Sequence, residues 1–136
     1  MDMKFTAISE DDKNFIEIAM DMAEEIVYHY KKDWEGAEIS PEVLDQVFAQ
    51  WLDNPSEYGN NQVINSLGVA LGEYMRRHLQ MHWTIVTDQY GTVMAVHREQ
   101  PDWTTFPFDT VSKRVQSREG NFFAAIYKMS ESEINK

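Results

Sequence analysis

The sequence predicts an α+β fold: three N-terminal helices, a small antiparallel sheet made of a hairpin and a candidate third strand, then one or two C-terminal helices. Three observations carry this. Apolar residues recur at spacings of three and four as far as residue 79, a helical period. Between residues 83 and 96 the pattern changes to runs rich in β-branched residues around a turn. Helical spacing then returns after residue 108, and helices grouped around a short hairpin define the α+β class.

The first helix begins at Ser9, with Asp12 three positions on in a capping-box arrangement. Phe15, Ile18, Met22, Ile26 and Tyr30 form its expected apolar face, and Glu17, Asp21, Glu24 and Glu25 its wet one. It is expected to stop near Gly36, with Lys31 and Lys32 in its last turns, where the helix dipole favours cations. Ser40-Pro41-Glu42 combines a capping hydroxyl, a proline at the first helical position and an acid, a strong helix start. Val43, Leu44, Val47, Phe48, Trp51 and Leu52 give that second helix the clearest stripe in the chain, and Asn54-Pro55 ends it. The third helix runs from about Gln62 to Leu79. Gly68 and Gly72 inside it cost roughly 1 kcal/mol each relative to alanine. They therefore predict close approach of another backbone, within the chain or across a homodimer.

Trp83–Thr87 and Thr92–Val96 are the hairpin strands, joined through Asp88-Gln89-Tyr90-Gly91, where Gly91 can supply positive φ. Thr104–Phe108 is the candidate third strand, confined by Pro107 to an edge. Asp109 is expected to cap a short helix through Val111 and Val115, and a last helix carries Phe122, Phe123, Ile126 and Tyr127. The tail from Ser130 to Lys136 is expected to fray. The 136 residues read as one domain, 1–136, with an acidic helical half (1–60) and a mixed half (61–136).

The charge layout is one-sided. Residues 1–60 hold 15 acidic and 4 basic residues, and residues 61–136 hold 8 of each, so the net charge of -11 lies wholly in the first half. Such a field repels phosphate backbones and anionic lipid, which argues against nucleic-acid and membrane partners; the acidic helices read either as a solvated outer face or as a surface that attracts a basic protein. The absence of cysteine excludes thiolate metal sites and cysteine nucleophiles. The N-terminus has no basic segment followed by an apolar core, and no apolar run reaches the ~20 residues of a membrane span, so a cytoplasmic protein is expected.

The ordered series Leu67-Gly68-x-x-Leu71-Gly72, Trp83, Asp88-x-x-Gly91, Phe106-Pro107-Phe108, Lys113-Arg114 and Phe122-Phe123 spans about residues 62–128. Across it the chain resembles a bacterial domain-of-unknown-function family, number 3806. Trp34-Glu35-Gly36 and the helix around Leu44 fit loosely. The resemblance implies a small bacterial cytoplasmic domain without an established activity, and it supplies no catalytic residues.

Candidate site residues fall into three groups. His78 and His82 have the spacing of a metal-binding pair, but the helix is expected to end between them, so they read as surface or capping histidines and no metal or other cofactor is expected. Arg98, Lys113, Arg114 and Arg118 either hold a phosphate or carboxylate or neutralise the acidic half. Trp34 and Trp103, in polar connections, are candidate interface anchors, whereas Trp51 and Trp83 read as core. No nucleophile elbow or phosphate-binding glycine loop occurs. The expected function is therefore a non-enzymatic protein-interaction module, immunity- or antitoxin-like in its concrete form, as a monomer or a homodimer. The alternative is a small anionic-ligand-binding or weakly catalytic domain, with its site near the hairpin and Lys113–Arg118.

Overall fold

A computed structural model describes residues 3–136. Its elements are β1 (Lys4–Thr6), α1 (Glu10–Tyr30), α2 (Pro41–Asp53), α3 (Asn60–His78), β2 (His82–Asp88), β3 (Gly91–Glu99), β4 (Asp102–Thr105), α4 (Pro107–Ser117) and α5 (Phe123–Ile134). The strands form one antiparallel sheet in the order β1-β2-β3-β4. The α+β class and its order of helices, sheet and helices are as the periodicity predicts.

Local chemistry accounts for the helix starts. Ser9 and Asp12 cap α1 reciprocally: the Asp12 N–H donates to Ser9 Oγ at 3.1 Å and the Ser9 N–H to Asp12 Oδ2 at 2.9 Å. Ser40 Oγ accepts from the Val43 N–H at 3.2 Å, with Pro41 at the first position of α2. Gly91 has φ +139°, the conformation that lets the β2–β3 turn close.

α3 is the axis of the molecule. It packs against α1, α2 and α4 and against strands β2 and β3. Its middle, from Ser66 to Gly72, is therefore buried on every side. Side chains alternate across the sheet, so Trp83, Met94 and Val96 join the helices in the main core. Phe5, Val86, Ala95 and His97 occupy the opposite face, where the Phe5 ring stacks on His97 at 4.1 Å.

Gly68 and Gly72 face aromatic rings rather than another helix backbone alone. A Cβ on Gly72 would lie 2.3 Å from Trp83 Cη2, and one on Gly68 2.9 Å from Phe108 Cδ1. The groove is filled from within the same chain, which removes the homodimer through this face.

Trp83 is anchored as well as packed. Its Nε1–H donates to Glu73 Oε2 at 2.8 Å, and Arg76 Nε donates to the same oxygen at 2.8 Å. Burial raises the Glu73 pKa, but the hydrogen bonds from Arg76 and Trp83 outweigh it and hold the carboxyl below its ordinary value. A lowered folded-state pKa contributes stability above the unfolded-state value, and that contribution disappears as pH falls through the folded one. Glu73→Gln is thus expected to cost about 1 kcal/mol near neutral pH and progressively less as the pH falls below the ordinary carboxylate range, as read by urea unfolding along an acid series.

Several boundaries differ from expectation. β1 is an additional strand; three exposed residues carry no periodicity to announce it. α1 ends at Tyr30, not near Gly36, because the Lys31 N–H makes the closing bond to Val27 O and the chain then turns. The third strand is Asp102–Thr105; Pro107 opens α4 instead of ending a strand, and Asp109 lies in the first turn of α4 rather than at its cap. The tail does not fray at Ser130. α5 continues to Ile134 because Ser130 and Ile134, one turn apart, are both buried.

Candidate functional site

The buried stripe of α1 is Ile16, Ala19, Ala23, Ile26 and Val27. The expected face, phased on the larger residues, put Ile18 in the core. Instead the two alanines lie in the buried stripe of a helix packed against α3, and Ile18 is turned outward, 69% exposed, with Tyr28 at 53%. Two large apolar side chains thereby stand among Glu17, Asp21, Glu24 and Glu25 on the outer surface of one helix.

Two adjoining hollows follow this helix, and Gln62 of α3 borders both. One, of about 150 Å³, is walled by Phe15, Ile18, Ala19 and Met22 of α1 and by Asn65 and Ser66 of α3. The other, a cleft of about 430 Å³, lies between Glu25, Tyr28, His29 and Lys32 on one side and Glu57 and Tyr58 on the other. Tyr58 is fixed from both ends. Its carbonyl accepts from Trp51 Nε1–H at 3.0 Å, and its hydroxyl donates to Glu25 Oε2 at 3.2 Å. Burial, helped by the Glu25 carboxylate, pushes the Tyr58 pKa to about 12, so the phenol remains a donor. The groove is apolar at one end, and at the other it is aromatic and anionic.

The basic residues singled out in the sequence do not gather into one site. Lys113 pairs with Asp109 one turn away at 3.0 Å, and the Arg114 guanidinium lies 5.2 Å from the centre of the Phe122 ring. Arg118 Nη2 donates to Leu52 O at 2.8 Å, in the last turn of α2. Arg98 donates through Nη1 to Leu79 O at 2.6 Å and through Nη2 to Gln100 O at 2.8 Å, which closes the end of α3. Their work is capping and packing. The acidic half is bridged to the second half, among the described residues, by Glu38, which meets Arg77 at 3.4 Å and His78 Nε2 at 2.7 Å. Glu17, Asp21, Glu24 and Glu25 on α1 have no ion-pair partner among the described residues. The expected wholesale neutralisation of the first half by the second does not occur.

Arg98 does line a recess of about 290 Å³ with His78, Gln80 and Glu131, and Trp103 is its cross-strand neighbour. The last residues of α3 and α5 line this recess together with Glu131, and helix C-termini are the negative ends of the dipole, so its field is poor for an anion. Trp34 and Trp103 are half-buried against the core, with both indole N–H groups enclosed and without a partner among the described residues, and neither projects as an anchor. His78 and His82 part company at the end of α3. His78 stacks on Tyr74, while His82 lies across the sheet from His97, 3.5 Å from Glu99. Among the described residues, no three His, Asp or Glu side chains are grouped to hold a metal.

Residues 42–127, well over half of the chain, match the family described as a domain of unknown function, DUF3806. The chain belongs to that family. The matched span runs from α2 into α5 and so contains α3, strands β2 to β4 and one wall of the groove; β1 and α1 precede it. No curated protein matches the chain. A crystal structure from Bacteroides thetaiotaomicron VPI-5482 is similar in fold, with a TM-score of 0.71 at 15% identity over 94% of this chain. The chain spans about half the length of that structure, 47% of it. No helix among the described residues is long and apolar enough to cross a membrane.

Proposed function

We propose that this DUF3806 chain is a non-enzymatic interaction module that docks a basic protein partner along the α1–α3 groove. The observation that carries the reading is the outward face of α1, where Ile18 and Tyr28 stand among Glu17, Asp21, Glu24 and Glu25, which pair with no cation among the described residues. An apolar centre with a charged rim is the anatomy of a protein interface. The one-sided charge of -11 adds long-range attraction for a cationic surface and repulsion for nucleic acid. An immunity- or antitoxin-like role, in which the acidic helix covers a basic toxin, is the concrete form of this proposal, with the cytoplasm as its setting.

The test is capture from lysate on immobilised protein at low and at high ionic strength, with Ile18→Asp alongside. Because Ile18 is exposed, that substitution leaves the fold intact. A partner held at low salt, released at high salt and lost with Ile18→Asp is expected. Retention that ignores both salt and Ile18 would refute docking at this groove.

A further inference from the structure

We infer that the cleft at the Tyr28 end of the groove is a receptor for a single lysine or arginine side chain of the partner, a place that the chain's own Lys32 fills in the free state. The inference rests on the docking proposal above and specifies what the partner must bring. Lys32 Nζ stands 5.1 Å from the centre of the Tyr28 ring, within the range of a cation–π contact. Lys32 reaches no carboxylate within ion-pair distance among the described residues, although Glu25 and Glu57 line the same cleft. The cleft thus holds one cation on its aromatic wall and leaves its two carboxylates without one. Glu25 spends one oxygen on the Tyr58 hydroxyl, and its other oxygen remains an acceptor.

An incoming ammonium or guanidinium could meet the Tyr28 face and a carboxylate together, which Lys32, tethered just beyond the end of α1, does not. The partner's cation therefore displaces Lys32 from the Tyr28 face instead of joining it there, since two like charges over one ring repel. The other half of the groove fixes the rest of the occupant. Ile18 and Tyr28 are ten residues apart on α1, roughly 15 Å along the axis at 1.5 Å per residue. A helix laid in this groove would place an apolar residue against Phe15, Ile18 and Met22, and a basic one about three turns away in the cleft. The occupant is an amphipathic basic helix with that spacing.

The test uses a fluorescent helical peptide carrying leucine at one end and one lysine three turns on, and a twin with norleucine in place of that lysine. Binding is measured by anisotropy to the full chain and to Lys32→Gln, Lys31→Gln and Tyr28→Leu. Lys31→Gln changes the net charge equally but leaves the cleft untouched, so it separates the site from the general field. Lys32→Gln is expected to tighten the lysine peptide roughly two- to five-fold beyond Lys31→Gln, and Tyr28→Leu to weaken it by a similar factor. The norleucine twin should bind more weakly and respond equally to both lysine substitutions. If the lysine peptide binds but Lys32→Gln and Lys31→Gln act alike and Tyr28→Leu is neutral, the receptor cleft is wrong and groove docking stands. If neither peptide binds any form of the chain, the docking proposal falls and takes this inference with it.

Discussion

Replacing Gly72 with alanine is expected to destabilise the chain by about 3 kcal/mol, the upper part of the range for overpacking a well-filled core. The new methyl carbon would lie 2.3 Å from Trp83 Cη2 and 2.4 Å from Cζ2. A flexible side chain could retreat from such a contact, but this indole cannot. It is buried, it is pinned at Nε1 by Glu73 Oε2, and its strand is paired on both sides, with β1 and with β3. α3 must therefore lift off the sheet, and the helix-propensity gain of about 1 kcal/mol from losing a glycine offsets only part of that loss. Gly68→Ala is milder, since the half-buried Phe108 ring 2.9 Å away can turn. Urea unfolding should show a lower midpoint at unchanged slope for Gly72→Ala, partly restored by Trp83→Leu in the same chain. A Gly72→Ala midpoint equal to that of the parent would disprove the packing argument.

What the sequence made legible is what local chemistry encodes. The Ser9–Asp12 capping box, the Ser40-Pro41 start and the Gly91 turn each join residues within four positions, and each is found where its spacing places it. The resemblance to family 3806 rested on the same kind of local punctuation. On α1 the periodicity places Ile26 in the core and Phe15, Met22 and Tyr30 against it, as found, but it also assigns Ile18 there, and Ile18 is turned outward. The buried stripe of this helix, which packs against α3, also runs through Ala19 and Ala23, and hydrophobicity alone cannot choose between two phases of one helix when both carry apolar residues. The periodicity therefore hides the candidate groove, because it assigns Ile18 to the interior. An alanine pair at i, i+4 beside a glycine-bearing helix was the available signal. The destinations of Arg98 and Arg118, both backbone carbonyls at helix ends, had no local signature at all. A guanidinium that caps a helix distant in sequence looks, in one dimension, the same as one that awaits a phosphate.

Removing the Asp45 carboxylate is the second substitution with a large expected effect, and no local pattern points to it. α5 starts after Phe122 with no side-chain cap of its own. Its first N–H groups are satisfied from α2 instead: Asp45 Oδ1 accepts from the Phe122 and Phe123 N–H groups, both at 2.8 Å, and Oδ2 from the Ala124 N–H at 3.1 Å. One carboxylate thus answers three donors that a helix start leaves over, and it does so at the positive end of the dipole. The contact also joins α2 to α5 where Phe48 packs edge-on against Phe122 and Phe123. Asp45→Ala strands all three donors beside that aromatic cluster and is expected to cost about 3 kcal/mol, since hydrogen bonds to a charged group are each worth roughly 1.5–3 kcal/mol and do not add fully. Asp45→Asn keeps one acceptor oxygen but loses the charge, so a smaller loss of about 1–2 kcal/mol follows. Hydrogen exchange at the amides of Phe122, Phe123 and Ala124 localises the effect. These amides should lose protection in Asp45→Ala well before those of α3, because α5 is attached through this start and through Ser130 and Ile134, whereas α3 is held from every side. Equal loss of protection in α3 and α5 would mean that the substitution unfolds the chain globally, and that the carboxylate is not a cap specific to α5.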